Sequence, residues 1–166
     1  MKRLIYILVF PFLSISCQEI PEQERGIPGP AKVAVEKPKI NIDSVENNLK
    51  QKGYQTFRYK DGDTTYLMQQ YYMVFLKSGA NRSQDSTEAA RLQKEHLAYL
   101  SRMAEEGYAS LIGPFGGKGE IRGIAVYNTA TLEEADSLAR QDPMVKAGRL
   151  EVEVNPWWTA KGGKLN

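Results

Sequence analysis

His96 is the only histidine among 166 residues. An imidazole exchanges a proton near neutrality, and a carboxylate that orients it completes the smallest acid–base unit a protein can build. Asp142, followed by Pro143, is a candidate carboxylate for that role. His96 is expected on the apolar face of a helix, with Ala89, Leu92, Leu97, Leu100 and Met103. A histidine there serves equally as a hydrogen-bonded core residue, and Asp-Pro serves equally as a turn starter. Gln93 on the same face marks the patch as incompletely dry. If the two side chains meet, Asp142 fixes the imidazole tautomer and leaves the second ring nitrogen to a cleft as general acid or base. No metal and no cofactor is expected. One histidine and one cysteine do not make a zinc ligand set, and the glycines of residues 115–119 lack the spacing of a phosphate cradle.

The elements that must position these groups follow from periodicity. Residues 68–77 read as a strand with Tyr71, Met73 and Phe75 on one face and Tyr72, Val74 and Leu76 on the other. Both faces are apolar, so both need cover. Residues 87–106 read as an amphipathic helix stopped by Gly107, with Arg91, Lys94, Arg102 and Glu105 opposite the apolar stripe. Strands are expected over 109–112, 121–127 and 150–155, the last with Leu150, Val152 and Val154 inward and Glu151 and Glu153 outward. Thr131 and Glu134 form a capping box that opens a second helix ending near Gln141. The order βαββαβ is an α+β, ferredoxin-like plan, with two helices on one face of a four-stranded antiparallel sheet. Because the helices share a face, contact between His96 and Asp142 is feasible. The other face is left bare, and sheet-against-sheet homodimerisation is its expected cover. Trp157 and Trp158 are expected to seal the C-terminal end or the dimer interface.

Around this domain, assigned to residues 67–160, the chain divides further. Residues 43–66 read as a short helix capped by Asp43 or Ser44, then an extra edge strand over 54–59 and the Asp61-Gly62 turn. Residues 161–166 are a tail. Residues 1–16 read as an export signal: Lys2 and Arg3, then an apolar run too short to span a membrane, then Ser14 and Ser16. Cys17, the only cysteine, follows at once and excludes an internal disulfide. Its setting resembles the lipobox of bacterial lipoproteins, whose cysteine is acylated, although Ser14 stands where leucine is usual and Leu13 lies one place earlier. An ordinary secretory signal is the competing reading. Residues 17–42, with Pro21, Pro28, Pro30 and Pro38, form a tether. The expected partner is a membrane reached through a lipid on Cys17, at the cell envelope and most simply the outer membrane, with the domain outside the cytoplasm. Loss of Lys2 and Arg3 takes the formal net charge from +2 to 0. No dense Lys/Arg patch with interleaved aromatics is present, so nucleic-acid binding has no support.

His96-Leu97, Gly107, Gly113-Pro114, Gly123, Glu134-Ala135, Asp142-Pro143, Ala147-Gly148 and Asn155-Pro156-Trp157 recur in an order and spacing that resembles the YCII-related family. The resemblance covers residues from about 71 to 158. It implies the ferredoxin-like fold, a dimeric α/β barrel and a His–Asp pair as the catalytic unit, which falls here on His96 and Asp142. Many members place an arginine just before the histidine, whereas this chain has Gln93, Lys94 and Glu95. Lys77, at a strand end, is the alternative cation, with a solvated strand end as its plain reading. Three functions stay open: an enzyme acting on an unknown small molecule by proton transfer, a non-catalytic ligand-binding module, and a structural envelope lipoprotein.

Overall fold

The structure, a computed structural model, describes residues 41–163 and Leu165. The signal at 1–16, Cys17 and the tether as far as residue 40 lie outside the described residues. Asn41, rather than Asp43 or Ser44, caps α1 (Ile42–Gln51), its side chain accepting from the Ser44 amide at 3.1 Å. Then come β1 (Thr56–Asp61), a turn at Gly62, and β2 (Thr64–Ser78). Next are α2 (Ser86–Glu105), β3 (Ala109–Pro114), β4 (Ile121–Tyr127), α3 (Leu132–Arg140), α4 (Pro143–Lys146) and β5 (Leu150–Ala160). No helix of the described residues is long and apolar enough to cross a membrane.

β2 is the axis of an antiparallel sheet. One edge pairs with β5 from Met68 to Ser78. The other pairs with β1 from Thr64 to Gln69 and then with β4 from Tyr72 to Lys77. The sheet therefore has five strands, the four of the βαββαβ plan and β1, which pairs with β2 alone among the described residues as the extra edge strand and lies end to end with β4. The reason is that β2 starts at Thr64, ahead of its apolar alternation, and offers β1 a free stretch of backbone beyond the end of β4. β3 pairs with the far side of β4. β5 runs on through Pro156 to Ala160, past the expected end. Among the described residues β5 pairs with β2 alone, so it is an edge strand, where a proline is tolerated.

α2, α3 and α4 share one face of this sheet. Tyr72, Val74 and Leu76 of β2, Ala125 and Tyr127 of β4 and Leu150 of β5 pack against Leu92, Tyr99 and Met103 of α2, Ala135 and Ala139 of α3 and Met144 of α4. Met73 and Val126, paired in register, and Phe75 point the other way. On α2 the stripe is rotated from the expected one: Tyr99 is buried, while Leu97 is 54% exposed at its rim. Asp85 caps α2 by accepting from the Glu88 amide at 2.8 Å. Thr131 caps α3 by accepting from the Glu134 amide, and Glu134 reaches back to the Ala130 amide, one residue before the reciprocal partner of a standard capping box.

α4 has no counterpart in the sequence reading, which took Asp142-Pro143 as a terminator. Asp142 is instead an N-cap and Pro143 the first helical residue, the one place in a helix where a missing N–H costs nothing. The helix closes on Gly148 at φ 69°. There the Arg149 amide donates to Met144 O and the Gly148 amide to Val145 O, both at 2.9 Å, a Schellman closure. The loop after β2 grips this turn: the Gly79 amide donates to Arg149 O and the Asn81 amide to Gly148 O, both at 3.0 Å. A Cβ on Gly79 would collide with Gly148 O and the Arg149 carbonyl carbon, which are backbone and cannot rotate away. Gly79→Ala is therefore expected to cost about 1–3 kcal/mol, the usual range for overpacking, measured as a lowered urea midpoint with unchanged slope. A neutral substitution would show that the two segments are not clasped.

Candidate functional site

The turn between α3 and α4 fixes one carboxylate in two directions. Asp142 Oδ1 accepts the Met144 amide at 2.8 Å, the capping bond of α4. That bond sets the plane of the carboxylate and turns Oδ2 toward α2. His96, at mid-helix, meets it with Nδ1 at 2.6 Å. Both groups are buried, His96 at 8% and Asp142 at 1% exposure. Tyr99 and Tyr127 pack nearby, and the Tyr99 hydroxyl donates to Leu138 O at 2.7 Å. Burial first, then the neighbouring Tyr99 and Asp142, pushes the Tyr127 phenol well above its ordinary range, so it stays neutral. With Nδ1–H donating to Asp142, the neutral ring carries its lone pair on Nε2. Nε2 has no hydrogen-bond partner among the described residues and is not among their sealed, unpartnered atoms.

His96 forms part of the wall of a cavity of about 420 Å³ between α2 and the sheet. Its apolar lining includes Leu76, Leu100, Ile112, Met144 and Leu150. Gly123, opposite Leu76 in the ladder, also lines it. A Cβ there would press on Gly113 O at 3.0 Å, so a glycine both permits the strand approach and leaves space. Gln93, on the same helix face, also lines the cavity, and the exposed Leu97 stands at its mouth.

Three further lining residues, Arg82, Arg122 and Arg149, were not singled out in the sequence. They come from the loop before α2, from β4 and from the turn after α4, and no local pattern links them. Lys77 is not in the lining. It pairs with Glu120 at 3.0 Å and Glu153 at 3.4 Å, which hold its pKa above the ordinary lysine value, Glu120 first. Glu153 is thus a surface ion-pair partner. Trp158 packs on Phe57 of β1, ring centroids 4.9 Å apart, closing the C-terminal end of the sheet onto the added strand. No group of three or more potential metal ligands occurs among the described residues.

The family model for the YCII-related domain matches residues 71–158, more than half of the chain. The chain belongs to the YCII-related family. No curated protein is detectably similar to it. Among solved structures, the YCII-related chain is similar to the 5-chloro-2-hydroxyhydroquinone dehydrochlorinase of Burkholderia phenoliruptrix AC1100, solved with 2,5-dihydroxybenzoquinone. The identity is 21% and the TM-score 0.41, over 52% of this chain and 92% of that one. It is also similar to a muconolactone isomerase at 18% identity and TM-score 0.44, over 52% of this chain and 86% of that one. The matched stretch of the YCII-related domain contains both His96 and Asp142. Residues 41–70, with α1 and β1, lie before it.

The capping bond makes a sharp prediction about the ring. In Asp142→Asn the amide oxygen must keep accepting from Met144, so the amide nitrogen faces His96 and donates. His96 Nδ1 then becomes an acceptor and the proton moves to Nε2. Nitrogen-15 spectra of the imidazole should show this tautomer exchange, with little loss of stability. Asp142→Ala removes both bonds and should cost about 2–4 kcal/mol in urea unfolding. An unchanged tautomer in Asp142→Asn would mean that the carboxylate does not orient the ring.

Proposed function

We propose that the domain binds a small molecule beside His96 and transfers a proton to or from it. His96 Nε2 is the acid–base group, and Asp142 is the residue that positions it. The observation supporting this is the 2.6 Å Nδ1–Oδ2 bond at the wall of an open cavity. That geometry fixes the ring, holds the tautomer that leaves Nε2 basic, and spends no freedom at the moment of reaction. Mostly apolar walls would exclude water from the bound molecule. A binding-only role in the same cleft is the second reading, favoured by the three arginines at its wall, which can hold a ligand without reacting.

The test is turnover of a mixture of small metabolites followed by proton NMR. His96→Gln is expected to lower turnover of any active compound by about 10²–10⁴-fold, with the circular dichroism spectrum unchanged. Equal turnover by the variant overturns the acid–base role. Compounds bound but left unchanged by the wild-type protein support the binding reading.

We infer further that the domain works at the cell envelope, as a homodimer that covers the helix-free face of the sheet. The supports are sequence features: the apolar run ending at Cys17, the proline-bearing stretch after it, and Met73 and Phe75 on that face. Two or more acyl chains, each buried CH₂ contributing about 0.8 kcal/mol, would hold the protein stably on a membrane. Cells grown with a tagged fatty acid should label the wild-type protein and not Cys17→Ser. Equal labelling would place the lipid elsewhere, and no labelling of either would favour an ordinary secretory signal.

A further inference from the structure

The geometry points to a small organic oxyanion as the ligand of this cavity, its acid group held by Arg149 and Arg122 with Arg82 and its apolar body lying on Leu76, Leu100 and Met144. The inference rests on the cleft being the binding site, and it adds the class of molecule bound there. Charge is the first argument. The cavity lining contains three guanidiniums and His96 and no aspartate or glutamate; Asp142 lies behind the ring and is engaged by it and by Met144.

Elsewhere every arginine of the described residues has an acidic partner, although Arg102 reaches Glu106 only at 4.0 Å and lies over the Tyr99 ring. Arg58 pairs with Asp43 and Glu46, Arg91 with Glu88 and Glu95, and Arg140 with Asp136 at 2.7 Å. None of the three cavity arginines has an ion pair among the described residues. Arg122 donates to Gly119 O at 3.3 Å, and Arg149 Nη1 donates to Gln84 Oε1 at 3.2 Å. A cleft with cations on its wall and no anion concentrates negative ligands by focusing the field.

The second argument is a guanidinium held at the wall without a counter-charge. Arg149 Nε is sealed and Nη1 is taken by Gln84, so an incoming acid group would meet the remaining N–H groups of the planar head. A carboxylate or phosphate makes charge-assisted bonds to such a head. Arg149 cannot easily turn away. Its backbone amide is tied to Met144 O, its carbonyl to the Gly79 amide, and its Nη1 to Gln84. The third argument is shape. The remaining lining is largely aliphatic and uncharged, so the ligand presents hydrocarbon to it.

The test uses the purified full chain and three probes of similar size: phenylacetate, phenyl phosphate and 2-phenylethanol. Calorimetric titration is expected to give binding of at least one anion about tenfold or more tighter than the neutral alcohol, weakening as ionic strength rises. The tighter anion identifies the acid group as carboxylate or phosphate. Arg149→Gln should weaken that anion by about tenfold or more and leave the alcohol unchanged, with Arg149→Lys intermediate. Arg122→Gln, at a more exposed position, should act in the same direction even if Arg149→Gln does not fold. Equal affinity for anion and alcohol, no anion binding, or anion binding unchanged in both glutamine variants overturns the inference. Loss of the proton-transfer reading through active His96→Gln would leave the wild-type anion affinity where it is, so the two failures are separable.

Discussion

A carboxylate at 1% exposure must have its oxygens engaged, because an ionised group taken from water without partners is far too costly to keep. Asp142 meets this with one bond per oxygen, to the Met144 amide and to His96. Much of the architecture around the cleft can be traced to that arrangement. α3 has to end where it does so that Asp142 can leave the helical path. Pro143 has to follow so that a new short helix starts at once. α2 has to cross the sheet with His96, rather than a neighbour one residue away, over the turn. Tyr99 and Tyr127 then fill the space behind the pair as neutral rings and bring no competing charge.

The cleft exists because the packing stops short on one side of this pair. Around Tyr99 and Met103 the helix sits down on Ala109, Tyr127 and Ala135, and the core is closed. Toward the N-terminal half of α2 the sheet offers Gly123, where a side chain would press on the β3 backbone at Gly113, and Leu97 lies at the rim instead of beneath. His96 falls at the boundary between the two regimes. It is buried enough to be held and near enough to the opening to be reached.

Much of this was legible in the residues. Alternation located β2 with its two apolar faces and turned Leu150, Val152 and Val154 of β5 inward, and the helical stripe with Gly107 located α2 and His96. The common face of two helices made the approach of Asp142 geometrically reasonable. Other features had no local signature. A four-residue helix is shorter than any period that could reveal it, so Asp142 read as a stop when it is also a start. Leu97 and Tyr99 exchange roles because a helical wheel gives angles but not the tilt of the helix on its sheet. β1 found its place through the length of β2, which the polar residues before Leu67 concealed. The three arginines stand far apart in sequence and converge only through the loop clasp, a strand and the turn at Gly148.

The two bonds at Asp142 also carry an evolutionary consequence. One oxygen maintains a helix start and the other holds the imidazole, so a substitution that can no longer accept from Met144 disturbs the short helix and the ring together. Drift at that position, asparagine apart, would be filtered by the loss of the short helix. Arg82 and Arg122, exposed and outside the core, have no such double duty. Diversification among descendants of this chain should therefore run along the mouth of the cleft, changing what is admitted while the buried His96–Asp142 pair stays the same.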